Sequence, residues 1–291
     1  MTSRITSSKW VPIILMLPLI LLLLVFALYP ILYSFWLSLH NAFIESLSNP
    51  VWSGLENYQR LIRDPKFIAS ITWSLKFAFT SVSIQMVLGI GIAQLFNRQF
   101  TGKGFGLTAL LLPMLVSAAL MGTMFRLLFN EFVGPLAYLL RPLTGDGALL
   151  SAKWANVTII AADCIACTPF VFINVYSALQ AVPVEILEAA SVDGATSIQR
   201  FFRVTLPIIF PIVGVTFLER LLAAFLIFDL VLTLTGGGPG TITQSVSVYI
   251  YRRAFGRSNF GLASAGSFAM VVFLMVPSLY LIKRLLRSLN S

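Results

Sequence analysis

Charge is scarce in this sequence. Of 291 residues, 20 are Lys or Arg and 11 are Asp or Glu, so 11% of the chain is charged. A soluble domain carries about a quarter. Cysteine is nearly absent: two residues cannot staple 291, which excludes a secreted disulfide scaffold. The single histidine, His40, sits in a loop and offers no base for a Ser/His/Asp hydrolase. A phosphate-binding loop is also missing. Thr101-Gly102-Lys103-Gly104 lacks the upstream glycine spacing and the Ser/Thr of that motif, so any ATP chemistry belongs to another chain.

Apolar surface is what the chain has in excess. Residues of the AVILMFWYC set make up 58%, and the mean hydropathy is +0.90. This excludes disorder and argues against a cytosolic enzyme. The class is an all-α polytopic membrane protein. The net charge of +9 reflects basic residues flanking spans, since no dense basic run and no nucleic-acid module is present. Membrane lipid is the expected surrounding.

Six apolar runs predict six transmembrane helices, at about 11–37, 67–96, 104–129, 154–179, 206–234 and 262–282. The first is too long for a signal peptide and lacks a small-residue cleavage site. Six spans put both termini on one side. Basic residues divide evenly between the two faces, so charge count alone does not orient the chain. Arg4 and Lys9 before the first span, with Lys283, Arg284 and Arg287 after the last, favour termini on the inside. The loops between spans are too short for an independent core. Residues 1–291 therefore read as one transmembrane domain.

The loop 180–205 between the fourth and fifth runs carries the densest signal. Pro183 suits a first helical turn, and Val184–Val192 follows with Glu185 and Glu188 early. Asp193-Gly194 breaks the run. Ser197–Val204 reads as a second short helix with Arg200 and Arg203 late, and Pro207 opens the fifth span. Two short helices are thus expected on one face of the membrane. They serve either as an interfacial amphipathic linker or as a rigid piece that fits another protein's groove. In the second case Glu188 offers a charge to a basic partner residue.

The order Glu188-Ala189-Ala190, Asp193-Gly194-Ala195, Leu206-Pro207 resembles the EAA loop of binding-protein-dependent ABC transporter permeases. Other segments resemble the carbohydrate-uptake subfamily of maltose and glycerol-phosphate type: Tyr29-Pro30, Gly54-Leu55-Glu56-Asn57-Tyr58, Leu112-Pro113, Thr168-Pro169-Phe170, Phe228-Asp229, and Thr235-Gly236-Gly237-Gly238-Pro239. Cys164-Ile165-Ala166-Cys167 has no counterpart in that pattern. The resemblance implies a type I importer fold in a bacterial or archaeal cytoplasmic membrane, with both termini cytoplasmic. It implies four further components: a second permease, two ATP-binding cassette subunits that hold ATP and Mg, and an extracellular solute-binding protein or lipoprotein. No cofactor is expected on this chain. Glu188, Ala189, Ala190, Asp193 and Gly194 would couple ATPase closure to the helices. The expected solute is a sugar, with glycerol phosphate as the alternative. A secondary transporter would show inverted repeats and no such loop.

A few charges lie where charge is costly. Lys76 and Asp163 fall about 14 Å below the outer face, and Glu219 and Arg220 about 18–20 Å from the inner face. All four fall near one level of a core of about 30 Å. Either they pair across helices and fix the bundle, or some line the solute path. Asp229 lies nearer the outer end. Cys164 and Cys167 read as packing, and Gly236–Pro239 as a turn or a surface for the binding protein.

Overall fold

The computed structural model describes residues 10–144 and 148–289. Arg4 and Lys9 lie outside the described residues, as do the side chains of Lys283, Arg284 and Arg287.

Helix α1 (Trp10–Leu23) passes through one π-helical turn at Leu24–Leu28 into α2 (Tyr29–Ser38). Pro30 accounts for the widened turn. It has no N–H to give, and its ring crowds the carbonyl four residues back. A ribbon of β1 (His40–Asn41) and β2 (Val51–Trp52) follows, then α3 (Glu56–Arg63). Helix α4 (Pro65–Phe96) has 32 residues and is about 48 Å long, ample for a bilayer core of about 30 Å. Helix α5 (Lys103–Leu111) runs into a 3-10 turn at Leu112–Leu115, and α6 (Ala118–Leu128) leaves at 98° to it. Beyond α7 (Pro135–Thr144) come α8 (Ala155–Gln180), α9 (Val184–Val192) and α10 (Ser197–Arg200). Helices α11 (Leu206–Phe225), α12 (Asp229–Leu234), α13 (Val246–Tyr251) and α14 (Phe260–Leu289) complete the chain.

Four helical stretches among the described residues are long and apolar enough to cross a membrane: Leu15–Ser38, Pro65–Phe96, Ala155–Gln180 and Ser197–Phe225. The bent pair α5–α6 makes a fifth if counted as one span, and α14 contributes the apolar stretch Phe260–Met275.

The fold corrects three expectations. The run 104–129 is not one continuous helix. Pro113 withholds an N–H, Val116 is extended, and Ser117 caps the new helix by accepting from the Leu120 N–H at 3.4 Å. The run 206–234 is interrupted at Leu226–Phe228, where the Ser247 hydroxyl donates to the freed Leu226 carbonyl at 2.9 Å. And the second short helix of the 180–205 loop is not separate. Helix α10 continues through a π-helical turn, Phe201–Thr205, straight into α11. Pro207 is absorbed by widening the turn before it, as Pro30 is.

Two compact units are distinguished. The first joins the chain up to Asp64 with Ile250–Phe273. At its centre the buried Asn57 amide donates to the carbonyls of Ser38 and His40, at 3.0 and 2.9 Å. His40 lies against Trp36 with the rings tilted by 36° and meets Trp52 edge-on. Gly261 passes so near that a Cβ there would stand 2.2 Å from the His40 carbonyl oxygen. Arg253 pairs with Asp64.

The second unit joins Pro65–Tyr249 with the stretch from Leu274 on. Helices α4 and α8 make its most extensive contact. Gly89 of α4 lets the two helices approach, since a Cβ there would stand 2.6 Å from Val171 Cγ1 on α8, and Ser81 of α4 reaches Asp163 and Cys164. Helices α6 and α12 touch closely at Gly122, where a Cβ would lie 1.9 Å from Thr233 Oγ1.

Candidate coupling hairpin and polar recess

Both candidate groups lie in the second unit. The first is the hairpin that carries Glu188-Ala189-Ala190. Helix α9 starts behind Pro183, with Glu185 in its first turn, and ends in a Schellman cap. The Gly194 N–H bonds the Ser191 carbonyl at 3.1 Å, and the Ala195 N–H bonds the Ala190 carbonyl at 3.0 Å. This cap requires the left-handed conformation that Gly194 adopts, φ +78°. Nothing lies within 4 Å of where its Cβ would be, so the demand is on the backbone alone.

Thr196 and Gln199 then form a reciprocal capping box, each side chain satisfying the other's backbone N–H. The Arg200 guanidinium donates to the Ser191 hydroxyl and ties the second arm to the first. Glu188, Ala189, Asp193 and Gly194 are exposed, and Ala190 is half-buried. Val192 and Ile198 are 88% and 72% exposed, an apolar tip on a polar hairpin. Behind it lies a cavity of about 300 Å³ lined in part by Asn97, Arg98, Glu188 and Arg200.

The second group is a polar cluster inside apolar helices. Asp163 on α8 is 4% exposed. Its Oδ2 accepts from the Ser81 hydroxyl and from Gln85 Nε2 at 2.7 Å, both on α4. Gln85 Oε1 accepts from Arg220 Nε on α11 at 3.0 Å. An Arg220 Nη2 comes to 3.6 Å from Asp163 Oδ1, and the Cys167 thiol points at the same oxygen at 3.6 Å. Three helices are thereby joined through one carboxylate. Beside the cluster is a recess of about 250 Å³, walled by Asp163, Cys167, Arg220, Met121, Phe228 and Asp229.

The structure therefore brings together Asp163 and Arg220 and sets the exposed Asp229 on the same recess. Lys76 and Glu219 do not join them. Both are exposed, and neither makes an ion pair among the described residues. Glu219 points away from its neighbour Arg220, as adjacent helical positions must. Ser81 and Gln85 escaped the sequence reading, which followed full charges, and Cys167, read there as packing, points its thiol at Asp163. The available signal was a Ser and a Gln four residues apart on one face of an apolar run. Cys164 packs against Ser81, and no cluster of metal-ligating residues occurs among the described residues. The Gly236–Pro239 stretch is a packed turn: the buried Thr243 hydroxyl donates to the Gly238 carbonyl at 2.6 Å and bonds Thr235 Oγ1 at 2.9 Å.

Comparison with known proteins fits this architecture. Residues 85–291 match the family described as the binding-protein-dependent transport system inner membrane component. The chain is 32% identical to the trehalose/maltose transport system permease protein MalF of Thermococcus litoralis, over 91% of this chain and 89% of that one. It is 28% identical to the sn-glycerol-3-phosphate transport system permease protein UgpA of Agrobacterium fabrum, over 94% of each. Among solved structures, a chain of a bacterial ABC transporter that imports the acidic polysaccharide alginate shares the fold, with a TM-score of 0.82, 23% identity and 96% coverage of both chains. A match over more than two thirds of the sequence, joined to a relative of this similarity, assigns the protein: it belongs to the family of inner membrane permease components of binding-protein-dependent transport systems.

Proposed function

We propose that the chain forms one half of the solute path of an ATP-driven importer for a sugar, and that its α9–α10 hairpin is the piece an ATPase subunit grips. The observation that carries this reading is the hairpin itself. It is stiffened by a Schellman cap, a capping box and the Arg200–Ser191 tie, and Glu188, Ala189 and the apolar tip are exposed on it. In this reading ATP and Mg are bound by two ATP-binding cassette subunits, not by this chain. A second permease completes the path, and an extracellular binding protein delivers the solute. The chain crosses the membrane six times, through α1–α2, α4, α5–α6, α8, α10–α11 and α14, with both termini in the cytoplasm.

Sugar is favoured as the solute because trehalose and maltose stand in the name of a relative at 32% identity. Glycerol phosphate is the second reading, favoured by the 28% relative. The recess suits a hydroxylated solute, since it presents a carboxylate and a guanidinium side by side. Uptake by proteoliposomes holding the chain with its partner permease, ATPase subunits and binding protein tests all of this. Trehalose or maltose uptake that depends on ATP and on the binding protein is the expected result. Uptake of sn-glycerol 3-phosphate alone selects the second reading. Uptake driven by an ion gradient without ATP overturns both.

A further inference from the structure

An uncharged side chain bridges Asp163 and Arg220 beside their direct approach of 3.6 Å. Gln85 is fully buried on α4, and its amide uses both ends on this pair. Nε2 donates to Asp163 Oδ2 at 2.7 Å and to Ser81 Oγ at 2.8 Å, while Oε1 accepts from Arg220 Nε at 3.0 Å. A carboxamide suits this place because it donates on one side and accepts on the other; Glu or Lys serves only one of the two partners.

The result is a separation. Arg220 Nη2 stops 3.6 Å from Asp163 Oδ1. A charge-assisted hydrogen bond would close to about 2.7–2.9 Å. Among the described residues Oδ1 is met otherwise by the Cys167 thiol alone, at 3.6 Å. Neither terminal nitrogen of Arg220 makes a hydrogen bond among the described residues. Neither is sealed in: the buried side-chain atoms left without partners there are Asn57 Oδ1, Trp154 Nε1, Thr168 Oγ1 and Gln244 Oε1. Both Arg220 and Asp163 line the recess of about 250 Å³.

We propose that Gln85 is a positioning residue that holds Asp163 and Arg220 apart, so that Oδ1 and the guanidinium donors stay available to neighbouring hydroxyls of a solute in the recess. Each hydroxyl gives one proton and accepts another, which matches an acceptor set beside a fork of donors. Without the amide, a buried carboxylate and guanidinium close on each other, because that is the remaining way to satisfy both charges. The inference rests on the reading of the recess as part of the solute path, and the variants separate the two.

The test uses the complete importer in proteoliposomes with whichever of trehalose or maltose it carries, reading uptake kinetics, ATPase rate and complex assembly. Gln85→Met keeps the length and loses the amide; Gln85→Leu is the second variant. Uptake kcat/KM is expected to fall about tenfold or more, with binding-protein-stimulated ATPase within about twofold of the parent. Asp163→Asn removes the charge that would close on Arg220. Gln85→Met/Asp163→Asn is therefore expected to transport no worse than Asp163→Asn alone, a non-additive result. Normal uptake by both Gln85 variants overturns the proposal. So do losses that add in the double variant, and so does failure of both variants to assemble, which leaves Gln85 a role in folding alone. The reading beneath it fails by a different sign: normal uptake by Asp163→Asn and by Arg220→Gln removes the recess from the solute path.

Discussion

Asp163 sits in an apolar helix, and its two oxygens are met by a hydroxyl, an amide, a thiol and a guanidinium. Removing the carboxylate outright strands the Arg220 charge, a change that costs about 3–5 kcal/mol in well-packed interiors. Asp163→Asn and Asp163→Ala share that cost, and Asp163→Ala also leaves Gln85 and Ser81 without their acceptor, so it is expected to lower the melting temperature of the detergent-purified complex further. Equal shifts in a fluorescence melt would count against the network as a stabilising element. Gly194 makes the opposite kind of demand, since it touches nothing. Gly194→Ala forces a side chain into the left-handed region at a cost of about 1–2 kcal/mol, confined to the end of α9. The expected outcome is a complex that assembles and hydrolyses ATP but moves less solute per ATP, measured as the ratio of uptake to phosphate release. Gly194 was legible in the sequence because Asp-Gly after a helical run is a turn signal in itself. Gln85 was not, because its importance lies in partners 78 and 135 residues away along the chain.

Breaks in helices divide in the same way between local and distant causes. The bend between α5 and α6 follows from Pro113 and the capping Ser117, both readable in advance, although the apolar run around them suggested a single rod. With Pro113→Ala the missing N–H returns, and α5 is expected to extend toward α6. Spin labels at the exposed positions 105 and 127 should then move toward the about 33 Å of a straight helix. An unchanged distance would mean that packing, not proline, holds the bend. The break after α11 has no such local mark. Ala223-Ala224-Phe225-Leu226 is good helix sequence, and the interruption is stabilised by the Ser247 hydroxyl on the Leu226 carbonyl. The close contact of α6 with α12 at Gly122 leaves no room for a side chain, so Gly122→Val is expected to push these helices apart and lower the yield of folded protein in size-exclusion chromatography.

At the scale of the whole molecule, an even division of basic residues hides the orientation, which the hairpin supplies through the role proposed for it. In a background with Cys164 and Cys167 replaced by Ala, a membrane-impermeant thiol reagent is expected to label Ile44→Cys in intact cells and Ser191→Cys only after permeabilisation. The reverse pattern would invert the proposed topology. The run Leu15–Ser38 was legible as a long apolar helix but not in what it packs against, since none of its most apolar window is buried among the described residues. The hairpin has one further consequence. Its turn is closed by its own backbone and its second arm by its own side chains, so its shape exists before any partner arrives. Ordering a flexible loop on contact would cost about 0.5–1.5 kcal/mol for each side chain immobilised. In the role proposed for it, a preformed hairpin avoids most of that loss, so its association would be governed by encounter and not by folding, and a partner subunit could leave and rejoin without the loop having to be rebuilt.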